Sequence, residues 1–240
     1  MPLSKQDILL QLQRDILPLQ GIKLPAATGE ISLGPLDAAF PNATFPTAAI
    51  HECISQGAEH AAAATGFLGG LLSALMRKGG ACVWIGTART LFPPALKAFG
   101  VEPDRIIFID LKREKDVLWA MEEALKCEGL AAVVGEVQEI GFTASRRLQL
   151  AVERSRVTGF ILRRQTHNLS TVACVARWKV TPLHTILEDD LPGVGFPRWQ
   201  VELLKIRNGK PGSWQMEWSV DRFRVISEAI VHEEESRQTG

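Results

Sequence analysis

The residues from Ala48 to Lys78 have the layout of a phosphate-binding loop but lack the side chains that bind phosphate. The pattern predicts an apolar strand at Ile50–Ile54, a short loop and a long Ala/Leu-rich helix, which is the element order of such loops. Their GxxxxGK[ST] motif lets backbone N–H groups and one lysine hold the phosphates. The corresponding residues here are Ser55, Gln56, Gly57, Ala58, Glu59, His60, Ala61, Ala62 and Ala63. Because they include no lysine and no second glycine, and Glu59 adds a negative charge, the sequence predicts the architecture of a nucleotide site without its chemistry.

The histidines and cysteines do not predict a metal site or a catalytic triad. The five histidines lie far apart, without cysteine or carboxylate partners at the spacing of metal ligands. The four cysteines form no CxxC pair, and Cys53, Cys82 and Cys174 fall in predicted strands as small buried side chains. Ser55 and His60 flank the loop, but no acidic residue that would orient the histidine is identifiable. We therefore expect no metal, no cofactor and no disulfide.

Composition indicates a globular domain. The chain has 240 residues, of which 46% are hydrophobic, enough for one sizeable core. No apolar run reaches the roughly 18 residues of a membrane span, and the N-terminal segment carries acids and glutamines that a secretory signal would lack. The sequence therefore predicts a cytoplasmic protein without membrane contact.

Basic residues are concentrated in one segment, although the formal net charge is zero. Between Arg146 and Lys179 the chain has eight basic residues and a single acid, Glu153. Six of them are candidates for binding DNA or a partner protein: Arg146, Arg147, Arg154, Arg156, Arg163 and Arg164. The alternative is a solvated helix face with solvated strand ends, and the pattern alone does not decide between the two.

Apolar strands that alternate with amphipathic helices predict an α/β fold, with a mostly parallel sheet covered by helices on both faces. The predicted strands are 50–54, 81–85, 106–109, 130–134 and 159–162, and the predicted helical segments after the first are 91–99, 114–127 and 143–156. From Val172 onward strands dominate, at 172–180, 199–207 and 214–218, and we expect them to extend the sheet in antiparallel fashion.

Two residue patterns within this fold allow both a functional and a packing interpretation. Trp199, Trp214 and Trp218 lie among basic residues, as in a stacking platform for single-stranded nucleic acid. Alternating aromatic residues are more often the buried face of a strand, and we favour that interpretation. Gly66 and Gly70 on the first helix are better explained by close packing on the sheet than by a ligand-binding loop.

Two terminal segments are predicted to lie outside the core domain, which we bound at residues 33–224. Residues 1–32 contain a helix followed by a connector rich in proline and glycine. The apolar stripe of that helix is Ile8, Leu9, Leu12 and Ile16. It either packs on its own domain or docks in the groove of a partner protein. Residues 225–240 are polar and acidic, and we predict a disordered tail.

The order of these elements and several local strings resemble RecA, and more closely the ImuA group of degenerate RecA relatives. The resemblance covers roughly Leu33 to Val220. The strings that carry it are Leu33-Gly-Pro-Leu-Asp37, Ala49-Ile-His-Glu52, Ala98-Phe-Gly-Val-Glu-Pro-Asp-Arg105, Leu118-Trp-Ala-Met-Glu-Glu-Ala-Leu125, Thr143-Ala-Ser-Arg-Arg-Leu-Gln-Leu150, Arg198-Trp-Gln-Val-Glu-Leu-Leu204 and Pro211-Gly-Ser-Trp214. The resemblance implies a RecA-like core with an N-terminal helical arm.

The resemblance also implies a function and a set of partners. Proteins of this group are accessory factors in SOS-induced, error-prone translesion DNA synthesis. The implied partners are an ImuB-like protein and a DnaE-type polymerase, with RecA as a further candidate. Two alternatives stay open: a division inhibitor resembling SulA, which sequesters FtsZ, and a nucleotide-gated DNA-binding paralogue of RecA.

Comparison with active RecA implies that the acids needed for ATP hydrolysis are missing. The catalytic glutamate after the second strand falls on Ala88, and the aspartate that supports the metal falls on Gly135. Glu136 follows Gly135, but strand alternation turns successive side chains to opposite faces. Hydrolysis needs the loop, the metal and a water-positioning acid together, so we expect no enzymatic activity. The loops that bind DNA in RecA also look trimmed, so we expect weak or indirect DNA binding.

Overall fold

A computed structural model describes residues 31–164, 170–186 and 194–227 of the chain. The strands in these ranges are β1 (Ile50–Ile54), β2 (Ala81–Gly86), β3 (Ile106–Asp110), β4 (Leu130–Val137), β5 (Thr158–Arg163), β6 (Ala176–Leu183), β7 (Arg198–Ile206), β8 (Gly212–Ser219) and β9 (Arg222–Ser227). The α-helices are α1 (Ala58–Met76), α2 (Glu114–Ala124) and α3 (Phe142–Ser155). Short 3₁₀ helices occupy Gly34–Ala39, Pro41–Ala43, Pro93–Phe99 and Pro103–Arg105.

All nine of these strands form one sheet in the order β3-β2-β4-β5-β1-β6-β7-β8-β9. The pairs from β3 through β1 to β6 are parallel, and the pairs from β6 to β9 are antiparallel. The predicted α/β fold with a mostly parallel sheet and antiparallel C-terminal strands is therefore confirmed. The β1 strand lies between β5 and β6, so the loop that follows it lies at the centre of the sheet.

The two faces of the sheet carry separate hydrophobic clusters. The α1 helix packs on one face, together with Phe160, Trp178 and the C-terminal strands. The α2 and α3 helices cover the other face, where Ile161 and Val133 are buried. Side chains of a strand alternate between these faces, which is why neighbouring apolar residues join different clusters.

The aromatic residues and glycines of the α1 face have packing roles. Trp199, Trp214 and Trp218 are buried, which confirms the core interpretation. A Cβ added at Gly66 would meet the rings of Phe99 and Trp199 at 3.0 Å. The glycine therefore lets α1 approach these aromatic side chains closely, as predicted.

Several predicted element bounds were wrong. The segment 91–99 forms a 3₁₀ helix from Pro93 rather than an α-helix. The predicted strand 172–180 begins only at Ala176, and it pairs in parallel with β1 on one side and antiparallel with β7 on the other. The β9 strand was not predicted, and it carries the sheet through Ser227, beyond the predicted domain end at residue 224. The predicted N-terminal helical arm and most of the acidic tail lie outside the described residues. None of the described helices is long and apolar enough to cross a membrane.

Candidate functional site

The loop between β1 and α1 is only three residues long. β1 ends at Ile54 and α1 begins at Ala58, so Ser55, Gln56 and Gly57 alone join them. The backbone N–H and the Oγ of Ser55 both donate to the Arg163 carbonyl oxygen, at 2.9 and 3.0 Å. Gly57 caps the helix with a φ of 93°, a conformation that favours glycine. The predicted loop residues from Ala58 to Ala63 therefore lie in the helix, and a three-residue connection is too short to encircle a phosphate with backbone N–H groups.

A groove of about 970 Å³ runs beside the first turns of α1. Its walls are mainly apolar: Ala62 from α1, Leu91 and Phe92 from the segment after β2, and Trp199 from β7. The charged and polar residues that reach it include Glu59, Thr90, Arg164, His184 and Arg198. Ala88, at the predicted position of the catalytic glutamate, is exposed just beyond β2.

Glu136 places a buried carboxylate on the α1 face of the sheet. The β4 strand extends to Val137, so Gly135 and Glu136 lie within it and point to opposite faces. A Cβ at Gly135 would lie 2.7 Å from Met121 Sδ of α2. Gly135 therefore faces α2, on the side of the sheet opposite to the Glu136 side chain. Glu136 Oε1 accepts a hydrogen bond from Trp84 Nε1 at 2.7 Å. Its Oε2 lies 2.7 Å from Arg164 Nη2, and Arg164 also donates to Thr90 Oγ1.

The burial and the hydrogen-bond partners of the Glu136 carboxylate determine its pKa and its role. Burial raises its pKa, while the hydrogen bond from Trp84 and the charge of Arg164 act in the opposite direction. Each carboxylate oxygen already has a partner from the chain. Glu136 therefore ties β4 to Trp84 of β2 and to the residue after β5.

A second buried carboxylate, Glu52 of β1, forms an ion-paired cluster on the opposite face. Glu52 has no exposed surface, and its Oε1 accepts a hydrogen bond from Arg163 Nη1 at 2.8 Å. Its Oε2 accepts another from Arg177 Nε of β6 at 2.6 Å. One further donor of each arginine reaches a backbone carbonyl, Arg163 that of Gln138 and Arg177 that of Ser170. This cluster fixes the carboxyl end of β5, the middle of β1 and the amino end of β6 to one another.

A buried histidine stabilises the other side of β1. His51 Nε2 lies 2.7 Å from the Pro46 carbonyl oxygen, and its Nδ1 accepts a hydrogen bond from Trp178 Nε1 at 3.3 Å. The ring stacks on Phe45 with centroids 4.7 Å apart. Burial lowers the pKa of His51 from 6.5 to about 4, although the Pro46 carbonyl opposes this shift. The ring is therefore neutral near pH 7, and its role is structural.

Two curated proteins match almost the whole chain. They are the proteins named ImuA from two strains of Caulobacter vibrioides, each 32% identical over 237 residues that span 92% of this chain and 97% of the relative. The chain belongs to the ImuA family. No protein-family model matches it. The family membership inferred from the sequence is thereby confirmed.

In this ImuA-family structure the six candidate arginines do not form one surface. Arg163 has 3% of its side chain exposed and is paired with Glu52, so its predicted role at a DNA or partner surface was wrong. Arg164 contacts Glu136 on the α1 face. Arg163 and Arg164 therefore point to opposite faces, as successive residues of an extended chain do. The four others, Arg146, Arg147, Arg154 and Arg156, lie on or just after α3 and are exposed. A binding role for these four stays a prediction.

The remaining predicted features of the site have mixed outcomes. Among the described residues no group of three or more histidine, cysteine or acidic side chains could hold a metal ion. The Ser55 hydroxyl donates to the Arg163 carbonyl rather than to His60. The predicted docking stripe of Ile8, Leu9, Leu12 and Ile16 lies outside the described residues. Sequence reasoning missed the Glu52 cluster, although a glutamate inside a five-residue apolar strand was a signal that it needed buried cationic partners.

Proposed function

We propose that this ImuA-family protein is a non-enzymatic accessory factor in SOS-induced, error-prone translesion DNA synthesis. It acts in the cytoplasm by binding other proteins, namely an ImuB-like protein and a DnaE-type polymerase, with RecA as a further partner. The observation that carries the proposal is the similarity to proteins named ImuA over 92% of the chain. The shape of the β1–α1 connection adds independent support, because it removes the phosphate cradle that a RecA-type motor needs.

Three structural observations support a protein without ATPase activity. The three-residue connection leaves no backbone loop to surround phosphates. Ala88 supplies no carboxylate beyond β2, and the carboxylate of Glu136 is already bonded to Trp84 and Arg164. The loop, the metal-supporting acid and the water-positioning acid would all have to be replaced for hydrolysis to occur.

Direct DNA binding is proposed to be weak or absent. The formal net charge is zero, so no long-range attraction draws the chain to a phosphate backbone. Arg163 is buried, and Arg147 and Arg164 are paired with Glu122 and Glu136 at 2.7 Å. Phosphate contacts would have to compete with these ion pairs.

Two experiments test this proposal together. The first is co-purification of the chain with the ImuB-like protein and the DnaE-type polymerase of the same organism, and a stable complex is expected. In the second, cells that lack the gene are complemented, and mutation frequency is counted after DNA damage. The wild-type chain and the Glu136→Gln variant should restore damage-induced mutations equally, because no catalytic acid is involved.

Two results would contradict the proposal. One is phosphate release from ATP above a no-protein control that Glu136→Gln abolishes, since this would reveal a relocated active site. The other is inhibition of FtsZ polymerisation together with normal mutation frequency in cells that lack the gene. That second result would favour a division inhibitor.

A further inference from the structure

The outer surface of α3 combines exposed apolar side chains with arginines. Phe142 and Leu150 are 56% and 45% exposed. Arg146 and Arg154 continue the same row at four-residue spacing, and residues four apart on a helix are neighbours. A row of phenylalanine, arginine, leucine and arginine therefore faces outward along the whole helix. Exposed aromatic and aliphatic side chains beside arginine are typical of protein interfaces.

A depression of about 480 Å³ lies beside this row, between α2 and the C-terminal half of α3. Ala151 and the exposed Leu150 give it an apolar side. Its cationic rim is formed by Lys126, Arg147 and Arg154. The depression is large enough for the end of a bulky apolar side chain, with charged groups placed around it.

The charges of α3 are unbalanced in favour of arginine. Arg146, Arg147, Arg154 and Arg156 lie on α3 or just after it, and Glu153 is its acid. Arg147 is paired with Glu122 of α2 at 2.7 Å, while Arg146 lies 3.7 Å from Glu153. Within the described part of the chain, Arg154 has no ion-pair or hydrogen-bond partner. A carboxylate of a partner protein could therefore pair with Arg154 without breaking an existing ion pair or hydrogen bond of that side chain.

The same surface is poorly suited to nucleic acid. Glu122 and Glu128 also line the depression and offset much of the charge of Lys126, Arg147 and Arg154, so a polyanionic phosphate backbone gains little there beyond the single contact to Arg154. Burying Phe142 and Leu150 requires an apolar partner, which the charged exterior of duplex DNA does not offer. The combination of an apolar recess with an isolated arginine instead matches a carboxylate placed close to a bulky apolar side chain.

We propose that the α2–α3 surface is the docking site for an acidic, amphipathic segment of a partner protein. A bulky apolar side chain of that segment enters the depression against Leu150 and Ala151, and an aspartate or glutamate of the segment pairs with Arg154. A helical segment would continue along α3 and cover Phe142 with a second apolar residue. The assignment concerns the chemistry of the bound segment and holds whichever partner protein supplies it.

Selection from a random peptide library tests this assignment without knowledge of the partner. The full chain is immobilised, and peptides are selected against it in parallel with two charge-reversal variants, Arg154→Glu and Arg224→Glu. Arg224 is an exposed arginine of β9 at the far edge of the sheet, so its reversal makes the same charge change away from the proposed site. Circular dichroism checks that both variants fold.

The wild type and Arg224→Glu should enrich peptides in which an aspartate or glutamate lies within one helical turn of Leu, Ile, Phe, Met or Trp. Arg154→Glu should lose them, and a synthetic enriched peptide should bind this variant about tenfold more weakly by fluorescence anisotropy. Replacing the exposed Leu150 by Gln, which adds no charge, should weaken the same peptide through loss of the apolar contact.

Three results would overturn the proposal. The first is enrichment of basic or uncharged peptides, or no enrichment above empty beads. The second is retention of the acidic peptides by Arg154→Glu at undiminished affinity. The third is binding of a labelled single-stranded or duplex oligonucleotide that Arg154→Glu abolishes while no peptide is enriched, which would assign the surface to nucleic acid.

Discussion

Trp84 Nε1 donates a hydrogen bond of 2.7 Å to Glu136 Oε1 and so joins β2 to β4. Arg164 holds the other oxygen of the same carboxylate, also at 2.7 Å. A polar network thus joins β2, β4 and the residue after β5. Both oxygens of the Glu136 carboxylate have partners in this network, so a change in its protonation should change the free energy of unfolding.

The raised pKa of Glu136 predicts that stability falls as the pH rises through its titration. Because its pKa in the folded chain lies above the ordinary value of 4.5, the folded chain binds this proton more tightly than the unfolded chain. That contribution is fully present below pH 4.5 and is lost as the pH rises through the folded-state pKa. Urea unfolding at a series of pH values should show the wild type losing stability relative to Glu136→Gln over this window. Parallel stability curves for the two proteins would contradict the prediction.

His51 should have the opposite pH dependence. Its folded-state pKa of about 4 lies below the ordinary value of 6.5, so the folded chain favours the neutral ring. The stabilisation is fully present above pH 6.5 and is lost as the pH falls to about 4, in total about 3 kcal/mol. In the variant His51→Asn the side-chain oxygen can still accept the hydrogen bond from Trp178.

The measurement for His51 is the free energy of unfolding between pH 7 and pH 4. The variant should be less stable than the wild type at neutral pH, and the difference should shrink as the pH falls. A difference that stays constant across this range would show that the buried ring is not the titrating group.

Breaking the Glu52 cluster should be strongly destabilising. Glu52→Gln leaves Arg163 and Arg177 charged and without a carboxylate in a buried setting, which typically costs about 3–5 kcal/mol. The matched control is Glu202→Gln, which breaks the partly exposed pair with Lys179 at 2.9 Å and should cost less than about 1 kcal/mol. Thermal unfolding of both variants makes the comparison. Equal losses in the two variants would show that burial does not determine the strength of the pair.

A methyl group at Gly70 should destabilise the chain despite its favourable effect on helix propensity. Alanine normally stabilises a helix interior by about 1 kcal/mol relative to glycine. At Gly70, however, the added Cβ would lie 2.5 Å from Phe223 and 2.8 Å from Trp218, and such overpacking costs about 1–3 kcal/mol. Gly129→Ala is the control, since nothing lies within 4 Å of a Cβ there. A higher melting temperature for Gly70→Ala than for the wild type would refute the close packing.

The parallel half of the fold could be predicted because its strands are short apolar runs that alternate with helices. The β1 prediction matched to the residue, since Ile50 and Ile54 mark the ends of an apolar run before a glycine-bearing loop. The β9 strand, Arg-Phe-Arg-Val-Ile-Ser, was missed because an edge strand needs only one buried face and its arginines resemble a loop. Pro93 and Pro94 suit the first turn of either helix type, so the sequence did not distinguish the 3₁₀ form from an α-helix.

The site was predictable only where residue identity alone decides the chemistry. The absent lysine and the alanine at position 88 are visible in the sequence. Which arginine is buried is a matter of register, because Arg163 pairs across the sheet with Ile54 and faces Glu52, while Arg164 lies one residue later on the opposite face. The contact between Glu52 and Arg163, which lie 111 positions apart, follows from the order of the strands in the sheet. The distribution of charged residues along the sequence did not indicate it.

The Glu52 cluster also affects how the chain can fold during synthesis. Its two arginines follow Glu52 by 111 and 125 residues, so a ribosome must extend the chain through β6 before the carboxylate gains both partners. Until β5 has supplied Arg163 and β6 has supplied Arg177, burying β1 would leave the carboxylate of Glu52 without its full set of partners, and the central strand would lack one or both of its neighbours. The N-terminal half is therefore expected to remain unfolded while it emerges from the ribosome. Its apolar strands and the Ala/Leu-rich helix are then exposed to chaperones until the last parallel strand arrives.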